Sequence, residues 1–200
     1  MRPTVPPPRT PLEGARPPAL PLGRAARWYA DELGWPVTAG EPARLLTGTT
    51  FDVLELPADA GASVLDRGVA TGPVALLGRR MRFLVAAGAA EELEGLLAWL
   101  EWGGVALDLT ALGAGGRILA PVPPGRAGEG CQGAAVWLRP PVPGCGALLP
   151  ALTVLGRSAG SGAPGGAPDL VRLVGAAATE CHRARLLRTR RTAGQALAFS

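Results

Sequence analysis

Two hundred residues with a hydrophobic share of 48% suffice for one domain with its own core. The formal charge of +4 is too small to argue for nucleic-acid binding by itself, because net charge speaks to association and not to fold. No apolar stretch reaches the length of a membrane span, and the prolines near the start leave no apolar run for a secretory signal.

Residues 1–21 are proline-rich and low in complexity, and read as an extended leader. Leu22 to Leu33 then reads as the first helix. Ala25, Ala26, Tyr29, Ala30 and Leu33 fall near three-four spacing, and Gly34 stops the run. Trp35-Pro36-Val37 continues as extended chain, since the residue before a proline avoids the helical region. Phe51–Pro57, FDVLELP, reads as a buried strand ended by Pro57. Ala58 to Asp66 suggests a short helix with Ala60 and Val64 inward. Val74–Leu77 and Met81–Val85 suggest a hairpin across Gly78-Arg79-Arg80, with a single bent strand as the alternative.

Ala87 to Trp102 has the clearest helical pattern, with Ala90, Leu93, Leu96 or Leu97, and Leu100 on one face and Glu91, Glu92 and Glu94 early. Val105–Leu109, Arg117–Ala120 and Cys131–Leu138 read as further strands. Leu148–Leu155 reads as a short helix or a half-buried segment, and Arg157–Pro168 as a loop. Pro168-Asp169 opens a last helix whose apolar side runs through Leu170, Leu173, Val174, Ala177, Ala178 and Cys181 towards Leu187. Residues 188–200 read as a basic flexible tail. The pattern therefore divides into a leader (1–21), one α/β (α+β) domain (22–187) and the tail. The domain has a small mixed or antiparallel sheet flanked by helices.

All twenty basic residues are arginine, Asn is absent and Ile occurs once, which a GC-rich coding bias explains without any function. Cys131, Cys145 and Cys181 are singletons, and their odd number argues against a disulfide framework. A reducing, cytoplasmic setting follows as the expectation.

Three stretches carry a resemblance. They are AARWYADELGWPV at residues 25–37, FDVLELP, and GGRILAPVPP followed by AAVWLRPP. In this order they resemble the N-terminal domain of actinobacterial bifunctional DNA primase/polymerase proteins, over roughly residues 22–140. The resemblance implies a compact α/β fold related to archaeal-eukaryotic primases. It also implies nucleotide addition to DNA or RNA ends with Mg or Mn. Such chemistry uses two strand carboxylates one residue apart, a third acid and a histidine on a neighbouring strand. Residues i and i+2 share a face, so two carboxylates there can hold one cation against phosphate oxygens.

This sequence departs from that pattern. Asp52 and Glu55 are three apart, which puts them on opposite faces of a regular strand; only a bulge could bring them together. Asp108 is the candidate third acid, with a turn or helix cap as its alternative. The strand expected to carry histidine has Arg79, Arg80 and Arg82 instead, and the single histidine, His182, lies in the last helix. Arg79, Arg80, Arg82 and Arg117 are candidate phosphate contacts, since a guanidinium binds phosphate bidentately; solvated charge beside glycine turns is the plainer account of them. Gly113–Gly116 is no phosphate loop, lacking the lysine and hydroxyl pair.

The expected function is therefore a catalytically degenerate primase/polymerase-like domain with a nucleic-acid-binding or regulatory role. No cofactor is expected of it. The alternatives are an active metal-dependent nucleotidyltransferase using Mg or Mn, and a non-enzymatic protein-interaction module. The corresponding partners are a DNA or RNA backbone, or a protein, and no membrane.

Overall fold

The computed structural model describes residues 22–125, 133–152 and 168–198, the last eight of these by backbone alone. The leader, Cys131 and the loop at 157–167 lie outside the described residues. In chain order the elements are α1 (Arg24–Leu33), β1 (Arg44–Leu46), β2 (Phe51–Pro57), α2 (Ala58–Asp66), β3 (Val74–Leu77) and β4 (Arg80–Ala86). They continue with α3 (Ala89–Trp99), β5 (Thr110–Leu112), β6 (Arg117–Leu119), β7 (Val136–Arg139), a 3-10 turn at Cys145–Leu148, and α4 (Leu170–Ala198).

The domain is mixed α+β with two antiparallel sheets. Five strands run in the order β5-β2-β4-β3-β7, and β1 pairs with β6 as a separate ribbon. The ladder between β2 and β4 runs without interruption from Phe51↔Ala86 to Pro57↔Arg80. No bulge interrupts β2, so side chains alternate along its whole length. Leu54 and Leu56 enter one core with Val64, Phe83, Leu93, Leu173 and Val174, beneath α2, α3 and α4. Phe51 and Val53 enter a second core on the other face with Tyr29, Trp35, Leu45, Leu84 and Ile118. The sheet is buried on both faces, which explains why FDVLELP reads as a near-continuous apolar run.

Two glycines make close geometry available. Gly78 has φ of 56° at the first turn position of the β3–β4 hairpin, where a positive φ matches the strand twist. Gly61 lets α2 lie on β4, because a Cβ there would come within 2.5 Å of the Met81 sulfur and 2.8 Å of its Cβ.

Several expected boundaries shift. Val105–Leu109 is not a strand: Val105 N–H bonds back to Trp102 in a turn, and the ladder begins at Thr110, opposite Glu55. The helix expected from Ala87 begins at Ala89, because Gly88 is left-handed. The strand expected from Cys131 to Leu138 occupies Val136–Arg139. The residues expected to form a separate tail continue α4 to Ala198. Arginine, alanine and leucine are good helix formers, and the run contains no proline. No helix among the described residues is long and apolar enough to cross a membrane.

Candidate functional site

The three resemblance-bearing stretches meet in space. Trp137 Nε1 on β7 donates to Tyr29 Oη on α1 at 2.7 Å, and that hydroxyl donates to the Pro121 carbonyl at 2.8 Å. Burial pushes the Tyr29 phenol above its ordinary range, with the Trp137 bond opposing part of the effect. Trp35 stacks beside Tyr29 at 6.0 Å and leans on Phe51 at 4.7 Å between ring centroids. These residues form a scaffold, in which the Trp137 N–H and the Tyr29 hydroxyl are committed to structural hydrogen bonds.

Asp52 and Glu55 lie on opposite faces of β2, as their spacing requires. Asp52 is buried on the helical side, and its Oδ2 accepts the Ala90 backbone N–H at 2.9 Å. That N–H belongs to the first turn of α3, whose own cap, Gly88, offers no side chain. Asp52 is thus a helix cap reached from a neighbouring strand. Its Oδ1 has no hydrogen-bond partner among the described residues.

Glu55 points the other way, into two guanidiniums. Arg80 Nε donates to Oε1 at 3.0 Å, and Arg82 Nε to Oε2 at 2.7 Å. Arg80 Nη1 also donates to Asp108 Oδ1 at 2.6 Å, and its Nη2 approaches the Glu55 carbonyl at 3.3 Å. One arginine therefore gathers Glu55 and Asp108, two of the three candidate acids, and leaves Asp52 apart. Burial pulls the Arg80 guanidinium down, yet the bonds and charges of Asp108 and Glu55 outweigh it and hold it above its usual value. Arg82 Nη1 is buried without a partner among the described residues.

This donor set does not fit Mg or Mn. Both Glu55 oxygens face cations already, and the residue two positions before Glu55 is Val53, buried in the second core. Among the described residues no three His, Cys, Asp or Glu side chains converge in a metal-holding group. His182 lies on α4 with its ring 5.7 Å from Trp102, apart from the β4 strand.

The four candidate phosphate contacts do not form one patch. Arg80 and Arg82 face carboxylates. Arg79 is exposed in the hairpin turn and lines a cavity of about 410 Å³ with Arg80, Asp108, Asp59 and Arg188. Arg188 donates to Asp59 at 2.8 Å. Arg117 is on β6, in the ribbon that joins the chain near Phe51, where Gly48 N–H bonds the Phe51 carbonyl. Arg79 and Arg80 are at the other end of β2, beside Pro57. The Asp52 cap and the Arg80 bridge were not readable from spacing, because both depend on which loop returns to the strand.

No family model, curated protein or solved structure matches the chain.

Proposed function

We propose that the chain is a primase/polymerase-like domain without metal chemistry, and that it acts by contacting nucleic acid in a regulatory role. One observation carries this reading. Arg80 stands between Glu55 and Asp108, where the resemblance would have a divalent cation between carboxylates. The guanidiniums of Arg80 and Arg82 together balance the two carboxylates and offer no exchangeable coordination position, so they cannot bridge phosphate oxygens or activate a nucleophile as a metal does. Asp52, the remaining acid, serves the α3 terminus.

The test is template-dependent synthesis. Purified protein with primed and unprimed templates, nucleotides and Mg or Mn is expected to give no extension. Product that disappears in Glu55→Ala or Asp108→Ala would establish the active-nucleotidyltransferase alternative and overturn this reading.

A protein-interaction module is the second reading. It is supported by Val136, Leu138, Val142 and Leu148, which are exposed on or beyond β7, the edge strand next to β3. Direct titration with DNA separates the two.

A further inference from the structure

The exposed aromatic ring on α3 and the outer face of α4 bear on where nucleic acid would bind, and this inference rests on the nucleic-acid reading above. Trp99 is 71% exposed in the last turn of α3, the largest exposure among the large apolar side chains of the described residues. It lines a cleft of about 890 Å³ between the ends of α2 and α3 and the start of α4. Val69, Leu100, Val171 and Ala176 give the cleft apolar walls; Arg172 brings positive charge, while Arg67 on the same rim is already paired with Glu180. Its one carboxylate, Asp169, is engaged by the Val171 N–H at 2.9 Å.

Arg172 also begins a line. Arg172, Arg183 and Arg190 are spaced eleven and seven residues apart on α4, close to three and two whole turns. They share one face, opposite the core-facing Leu173, Ala177, Cys181 and Ala184. Arg172 and Arg190 are exposed and have no ion-pair partner among the described residues. Arg183 is 59% exposed, with Glu180 3.8 Å away. The other two arginines of this stretch turn inward, Arg185 to the Ala106 carbonyl and Arg188 to Asp59. Glu180 is the single acid of α4; it is 2% exposed and paired with Arg67 at 2.6 Å. The outer face therefore carries cations and no exposed carboxylate.

We infer that the Trp99 cleft and the Arg172–Arg183–Arg190 line form a track for single-stranded nucleic acid. A base stacks on the Trp99 ring at one end, and the phosphates follow the arginines. Stacking is tolerant of sequence because every base has a flat face, and arginines supply the backbone contacts. The line is about 27 Å long from Arg172 to Arg190, the scale of a short single-stranded site. A duplex would keep its bases stacked and leave the ring without a partner.

The experiment is a titration of the full chain with fluorescent oligo-dT of about a dozen nucleotides at several salt concentrations. Trp99→Ala is expected to weaken binding about tenfold, and Trp99→Phe to restore most of it. Arg172→Ala with Arg183→Ala is expected to lower the slope of log affinity against log salt by about 1.4, for two lost single-strand phosphate contacts. All these side chains are exposed, so the variants should melt as the parent does. Binding unchanged in these variants but lost in Arg79→Ala with Arg117→Ala would overturn the track and keep the nucleic-acid reading. No binding by the parent at low salt would overturn both, in favour of a protein ligand. Equal affinity for duplex and single strand would also overturn the track.

Discussion

Glu55 and Arg82 sit directly opposite each other on β2 and β4, with Arg82 Nε 2.7 Å from Glu55 Oε2. The pair is 18% and 13% exposed, so water does little to screen it. Arg80 closes on the second Glu55 oxygen from the strand end. A cross-strand couple of this kind fixes register as well as charge.

Replacing Glu55 by Ala leaves two guanidiniums facing each other with little solvent. The expected loss is about 2–3 kcal/mol of stability, the cost of stranding half-buried charge. Glu55→Leu combined with Arg82→Leu should recover most of that, since an apolar couple replaces the pair. Urea unfolding of the parent and both variants measures it. A Glu55→Ala protein within about 0.5 kcal/mol of the parent would show that the carboxylate holds nothing together.

Asp52 is predicted to matter for stability rather than chemistry. Its Oδ2 satisfies the Ala90 N–H in the first turn of α3, and losing such a cap costs about 1–2 kcal/mol. Asp52→Ala should destabilise by that amount and speed hydrogen exchange at Ala90. Asp52→Asn retains an oxygen acceptor and should cost less than half as much. Unchanged exchange at Ala90 in Asp52→Ala would refute the capping role.

The sequence made some of this legible for definite reasons. The FDVLELP run announced a buried strand, and the three-residue spacing put Asp52 and Glu55 on opposite sides. Gly78 marked the β3–β4 turn because the turn needs its positive φ. The apolar face of α4 was visible from Leu170 to Cys181. Its continuation past Leu187 was not, because a run of arginines reads equally as solvated tail or solvated helix. The strand expected at Val105–Leu109 was misplaced because Leu107 and Leu109 pack inward from a turn, without a ladder. The Arg80 bridge was invisible because arginine spacing along β4 says nothing about where Asp108 returns. Trp99 could not be marked as exposed, since helical spacing alone makes any such aromatic a core candidate.

Tyr29 links α1, Pro121 and Trp137, so Tyr29→Phe removes one hydroxyl and breaks two hydrogen bonds. The site is buried, and both the Pro121 carbonyl and the Trp137 N–H lose this partner. The expected cost is about 1–3 kcal/mol. Trp137→Phe leaves the Tyr29–Pro121 bond in place and should cost less in polar terms. Thermal melting of both variants compares them. A Tyr29→Phe protein as stable as the parent would mean that water replaces the relay.

Stability should fall in alkali, and Cys181 is the group to test. Burial pushes its thiol from an ordinary value of 9.0 up to about 12, with the Asp108 charge adding and those of Arg80 and Arg188 subtracting. Burial also raises the Cys145 thiol, against backbone hydrogen bonds that lower it, and the Tyr29 phenol. For each group the folded protein holds its proton more tightly than the unfolded chain does. The contribution is complete below the unfolded value. It is lost as pH rises towards the folded value, because the unfolded chain then gains by releasing the proton. For Cys181 the window runs from 9.0 to about 12. Within it the slope is at most about 1.4 kcal/mol per pH unit for one group. Tyrosine begins to contribute only near its own ordinary value of 10.0, so the first unit above 9.0 belongs mainly to the thiols. Urea unfolding through that interval should show stability declining in the parent and declining less steeply in Cys181→Ala. The buried thiol should also resist alkylation in the folded protein, read by mass spectrometry at Cys181 itself. Equal slopes in the two proteins, with Cys181 alkylated as fast as in the unfolded chain, would place the thiol in water and remove it from this linkage.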